Sequence, residues 1–285
     1  MILVRKGVST KAASRIMFAR FPCWSRRILI SDPLLSRRYI GGGSIKTFEI
    51  PRDCQDADND VVELQIREQF TMPPGGGGVS NNAGDLMTGR FVWPSSMPLL
   101  QRLQRDFLAP DGKGQESPSK KIRILELGSG CGLLGMGIQV LGGNKVEVIL
   151  SEHGGAVKWL KTNIEQNEAL FERTPTAVCL DWRKFNSIDS DVGLVDEEDF
   201  DLIVGSDILY DSNLHQTLTN TIARLSSSKT LVYVAYPQRS GNEASFLNAT
   251  EEFFDLVSLE DIQTLATSAP CRLAILRKKA HATKL

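Results

Sequence analysis

The stretch ILELGSGCGLLG, residues 124–135, sets an apolar strand-like run, one carboxylate and a glycine cluster in a row. Gly128, Gly130 and Gly132 fall where such a strand would hand over to a helix. A glycine turn there lets the backbone approach a ligand and aims helix N-terminal amides at it. A dinucleotide-binding turn would carry another small residue three positions after its second glycine, but that position is Leu133, and the spacing is G-x-G-x-G. Glu126 lies inside the strand, two residues before the first glycine. A buried carboxylate without a partner costs several kcal/mol or shifts its pKa to escape, and a cationic ligand group would supply that partner.

Outward from this turn, strand and helix alternate. Residues 122–127 predict a strand and 133–141 a helix, followed by a strand over 146–150 and a helix over 156–167. Strands over 177–180, 202–204 and 231–236 follow, with a helix over 214–225 before the last. Short apolar strands separated by helices imply an α/β fold, a parallel sheet with helices on both faces. Ligands bind such sheets beyond the carboxyl ends of the strands, where strand order reverses. The closing runs FFDLVSL and RLAILRK predict a terminal strand pair. On the other side, WPSSMPLLQRLQRDFL spaces Leu99, Leu100, Leu103 and Phe107 as a helix, and RRYIGGGSIKTFEI with VVELQIREQF alternates as a small N-terminal β-containing extension. Gly-, Pro- and polar-rich stretches over 71–85 and 109–120 read as linkers. The expected organisation is a tail over 1–38, strands and linker over 39–87, and the main domain over 88–285.

Of 285 residues, 41% are hydrophobic and 24% charged, which suits one sizeable core. No run of about 18 apolar residues offers a membrane span, and the opening lacks a secretory apolar core. The five cysteines show no ligand spacing, so no metal site is expected. The net charge of −1 hides an asymmetry: residues 1–38 hold nine Lys or Arg against Asp32 alone, leaving 24 basic against 33 acidic residues in the rest. The basic opening reads either as a disordered tail or as a mitochondrial or other organellar targeting segment, the alternative to a cytoplasmic location. The acidic body argues against nucleic acid as a partner.

A ligand combining a ribose, a cationic amino-acid end and a sulfonium is S-adenosylmethionine, and ILELGSGCG resembles the first motif of the Rossmann-like seven-strand methyltransferases. The resemblance implies that Glu126, Gly128, Ser129, Gly130 and Gly132 cradle the methionine end. In LSEH the matching ribose acid is Glu152, 24 residues after Gly128.

Three further stretches, TGRFVWPSSMPLLQRL, LDW and FDLIVGSDILYD, resemble the methyltransferase-like protein-lysine N-methyltransferases over roughly residues 88–240. The resemblance implies that Trp93 lines the cofactor pocket, that Asp181 and Trp182 bracket the adenine, and that Ser206 adjoins the cofactor. It makes Asp207 the holder of the target lysine and Tyr210 its aromatic partner. The implied substrate is a protein lysine, met by a monomer. A methyltransferase for a small molecule or another side chain, and a non-catalytic cofactor-binding protein, share the same cofactor half.

Each residue also has a plainer role open to it. Trp93 can be a packing anchor, Asp207 a helix N-cap, Tyr210 a packing ring, and His153 and His215 surface or packing residues. After the fifth strand the resemblance goes no further than placing Arg239 near the substrate entrance.

Overall fold

The computed structural model describes residues 38–40, 43–52, 60–69, 87–108, 121–182, 200–238, 241, 243–262 and 271–280. The tail over 1–37, both linkers and Arg239 lie outside the described residues. Strands β1 (Arg38–Ile40), β2 (Gly43–Pro51) and β3 (Val61–Gln69) form an antiparallel sheet. A 3-10 turn (Met87–Arg90) leads into α1 (Ser96–Leu103), which runs on as a π-helical turn (Gln104–Leu108).

The main sheet is built from β4 (Ile122–Leu127), β5 (Val146–Glu152), β6 (Thr176–Cys179), β7 (Leu202–Ser206), β8 (Leu231–Pro237), β9 (Phe254–Ile262) and β10 (Cys271–Lys278). The helices between them are α2 (Leu133–Gly142), α3 (Gly154–Gln166), α4 (His215–Leu225) and α5 (Glu243–Thr250). Strand order is β6-β5-β4-β7-β8-β10-β9; β4 to β8 pair in parallel, and β10 runs antiparallel to both β8 and β9. Order therefore reverses between β4 and β7, the place where an open α/β sheet offers its binding crevice.

Period-two alternation divides the core. Ile124, Val204, Ala235 and Leu273 face α1, α2 and α3, while Leu125, Leu127, Ile203 and Val234 face α4 and Phe246 of α5. The N-terminal sheet joins the first of these layers: Ile50, Val62, Leu64 and Ile66 are buried in the same cluster as Leu99, Leu134 and Leu160. Strands β2 and β3 thus share the core of the main domain.

Two polar side chains, Asn163 of α3 and Asn167 at its C-cap, fix that junction. Asn163 Oδ1 accepts from Arg67 N at 2.9 Å and Asn167 Oδ1 from Gln65 N at 2.9 Å. Their amide nitrogens donate to the Arg67 and Gln65 carbonyls at 3.2 and 2.8 Å. Two asparagines one helical turn apart thereby pair with the edge of β3 as a strand would.

Candidate active site

The glycine turn stands at the carboxyl end of β4. Gly128, Gly130 and Gly132 all adopt positive φ, +63°, +53° and +87°. A Cβ on Gly128 would lie 2.8 Å from Ile208 Cγ2 and 2.9 Å from Trp182 Cη2, so only glycine fits between them. Gly132 is the N-cap of α2.

Two carboxylates brace this turn. Glu152, closing β5, accepts from Gly130 N at 2.7 Å through Oε2 and from His153 N at 2.9 Å through Oε1. Burial raises its pKa, these amides oppose the rise, and the charge of Asp181 adds to it. Glu126, 1% exposed, accepts from Gly135 N in the first turn of α2 at 3.1 Å. Burial pushes its pKa up to about 8, against the pull of bonds from Ser129 and Gly135. Each oxygen keeps lone-pair capacity beyond these amides, so the cradle suits a ligand rich in N–H and O–H donors.

Across the strand-order reversal, Asp207 follows β7 directly. Among the described residues it is the one non-glycine with positive φ, +58°. Such conformers cost about 1–3 kcal/mol and gather at functional sites. Asp207 N donates to Ala235 O at 2.8 Å, and its Oδ2 accepts from Ser95 N, just ahead of α1, at 2.8 Å. The N-cap of the 3-10 turn that follows is Asp211, which accepts from Asn213 N at 3.0 Å. Tyr210 is 47% exposed, which corrects its reading as a packing ring.

A narrow, open cleft lies between these parts, lined by Phe91, Val92, Trp93, Ser96, Gly128, Ser129, Gly130, Cys131, Leu133 and Ser206. Trp93, Ser129, Ser206 and two glycines of the sequence reading meet here, with Glu126 and Glu152 behind the loop and Trp182 against Gly128. Asp181, half-buried, stands close enough to Glu152 to act on its charge. Tyr210 does not line the cleft.

Several residues of the site escaped sequence reasoning. Ser96 Oγ lies 2.9 Å from Ser206 Oγ, joining α1 to β7 across the cleft. Phe91 and Val92 stand beside Trp93 in the same quoted motif, and that adjacency was their one signal. Val92 N donates to buried Glu68 Oε1 at 2.9 Å, and Lys46 Nζ lies 2.7 Å from Glu68 Oε2, so β2 and β3 hold the cleft wall. Asn163 Nδ2 donates to Cys131 O at 2.9 Å, tying the glycine turn to the same hairpin.

Comparison with known proteins agrees with this geometry. A family model described as lysine methyltransferase matches residues 79–253. The UPF0665 family protein C23C4.06c of Schizosaccharomyces pombe is 28% identical over 195 residues, 67% of this chain and 53% of that protein. Protein N-lysine methyltransferase METTL21A of Danio rerio is 26% identical over 166 residues, 58% of this chain and 68% of that protein. Calmodulin-lysine N-methyltransferase of Arabidopsis thaliana is 29% identical over 154 residues, 52% of this chain and 49% of that protein. The chain spans about half the length of the first and last of these relatives.

Proposed function

This chain belongs to the lysine methyltransferase family, and on that premise we propose that it transfers a methyl group from S-adenosylmethionine to a lysine side chain of a protein, releasing S-adenosylhomocysteine. The observation that carries the reading is the meeting of two strand ends. The Gly128–Gly130 loop of β4 and Ser206 of β7 line one cleft, and Asp207 is the next residue along.

The residues fit the cofactor. Glu126 sits buried with a raised pKa, the state of a carboxyl that an ammonium would ionise, and Glu152 offers two oxygens at the loop's edge for ribose hydroxyls. Trp182, packed on Gly128, gives an aromatic wall for the adenine. When bound, S-adenosylmethionine supplies an electrophilic methyl carbon on a sulfonium.

On the substrate side, Asp207 can accept a hydrogen bond from the incoming lysine nitrogen, with Ser95 N fixing its carboxylate. To accept the methyl group the lysine nitrogen needs a free lone pair, so its ammonium would first give a proton to water. A free lysine amine has a pKa near 10.4, and burial against Trp93 and the cleft wall favours its neutral form. Tyr210, exposed, offers ring and hydroxyl to a side chain arriving from a macromolecule.

The test is to incubate the protein and its Asp207→Ala variant with methyl-labelled S-adenosylmethionine and lysate, then map the label by mass spectrometry. Label on lysine of one or a few proteins, absent with the variant, is expected. Label on a small molecule, or none despite cofactor binding, would overturn the reading.

A further inference from the structure

His215, at the start of α4, is 2% exposed and hydrogen-bonded at both ring nitrogens. Nε2 lies 3.3 Å from the carbonyl oxygen of Leu209, and Nδ1 lies 2.6 Å from Ser245 Oγ on α5. Phe246 meets the ring edge-to-face, with centroids 6.0 Å apart at 76°.

The partners dictate the tautomer. A carbonyl can only accept, so Nε2 carries the hydrogen, and in the neutral ring Nδ1 accepts from the Ser245 hydroxyl. The carbonyl that His215 holds belongs to the residue before Tyr210. The segment is tied at its front by Asp207, through Ala235 O and Ser95 N, and at its rear by His215. Between them Ile208 wedges against the glycines: a Cβ on Gly205 would lie 2.4 Å from its Cδ1 and one on Gly128 2.8 Å from its Cγ2.

We propose that His215 is a positioning residue for methyl transfer, holding the Leu209 carbonyl and with it the backbone that carries Tyr210, with Ser245 selecting the ring tautomer that does so. The inference rests on the functional reading above and adds a residue that touches neither cofactor nor substrate. Misplacement of a substrate-orienting group by about 1 Å can cost 10²-fold in rate, so the effect belongs in turnover.

Three variants test it: His215→Phe, which keeps a ring beside Phe246 but loses both bonds; His215→Gln, whose amide can still donate to Leu209 O; and Ser245→Ala, on the exposed side of α5. Initial rates of label transfer are measured with the concentration of the wild-type protein's labelled target varied, and S-adenosylmethionine affinity by calorimetry. The expected result is a kcat about tenfold or more lower for His215→Phe, most of it restored by His215→Gln, a smaller loss for Ser245→Ala, and cofactor affinity unchanged in all three. Nitrogen-15 spectra of the histidine-labelled wild type, with no cofactor added, should show His215 protonated at Nε2. Protonation at Nδ1, or a His215→Phe variant that turns over like wild type, overturns the proposal while leaving the methyltransferase reading intact. Equal losses in His215→Phe and His215→Gln with matching falls in melting temperature make the residue structural and also overturn it. A wild type that labels no lysine fails the functional reading itself, and the proposal with it.

Discussion

The amide of Gly130 and the carboxylate of Glu152, 22 residues apart in the chain, are joined by a 2.7 Å hydrogen bond that ties the end of β4 to the end of β5. A bond of this kind to a charged group contributes about 1.5–3 kcal/mol, and here it shapes the loop a ligand must approach. Glu152→Ala should weaken S-adenosylmethionine binding at least tenfold by calorimetry, with Glu152→Gln between the two. Affinity within twofold of wild type would remove Glu152 from the ribose role.

Gly128→Ala and Gly130→Ala should differ although both glycines have positive φ. Each substitution costs about 1–2 kcal/mol of backbone strain. At Gly128 the new methyl also collides with Ile208 and Trp182 below 3.0 Å, whereas at Gly130 the nearest atom, Phe91 O, is 3.6 Å away. Chemical denaturation should rank Gly128→Ala as the less stable, and equal stabilities would contradict the packing of Ile208 against the turn.

Glu126 gives the ligand-free protein a pH dependence of definite sign. Its folded pKa of about 8 lies above the ordinary 4.5, so between those values the folded protein holds a proton that the unfolded chain has lost. Stability from this group falls as pH rises through that window, by up to about 1.4 kcal/mol per unit, and levels off above it. The melting temperature of Glu126→Gln relative to wild type should therefore climb from pH 5 to pH 8. A constant difference would mean that Glu126 titrates as an ordinary carboxyl.

What the sequence made legible was local. The glycine turn, Glu126, Glu152 and the strand and helix alternation with its closing pair rest on spacings of a few residues, whereas the strand order came only with the structure. Boundaries drifted where composition misled: β7 continues through Gly205 and Ser206, which are not strand-like alone but pair with Val234 and Ala235. Ser95 contributes a backbone amide, which carries no side-chain signal. Glu68 and Asn163 act on groups 24 to 96 residues away, and no periodicity encodes such pairs. His215 read as a surface or packing residue because a single histidine has no pattern; its partners lie 6 and 30 residues off.

Asn163 should matter to the cofactor although it lies behind the cleft. Asn163→Leu leaves Arg67 N and Cys131 O without their partner, and each orphaned buried group costs about 1–3 kcal/mol. A fall in melting temperature is expected together with weaker S-adenosylmethionine binding, because Cys131 belongs to the glycine turn. Lost stability with intact affinity would confine Asn163 to holding β3.

The contact between Cys271 Sγ and Ser95 Oγ, 3.2 Å across 176 residues, also sets a timetable for biosynthesis. At about 5–20 residues per second, roughly 10–35 s separate the synthesis of the two. β10, which bears Cys271, slots between β8 and β9 and follows both in the chain. A nascent chain therefore holds its glycine turn and its Asp207 well before the sheet that aligns them can close. Until then β8 presents an open edge, a row of unpaired backbone groups that another chain could join.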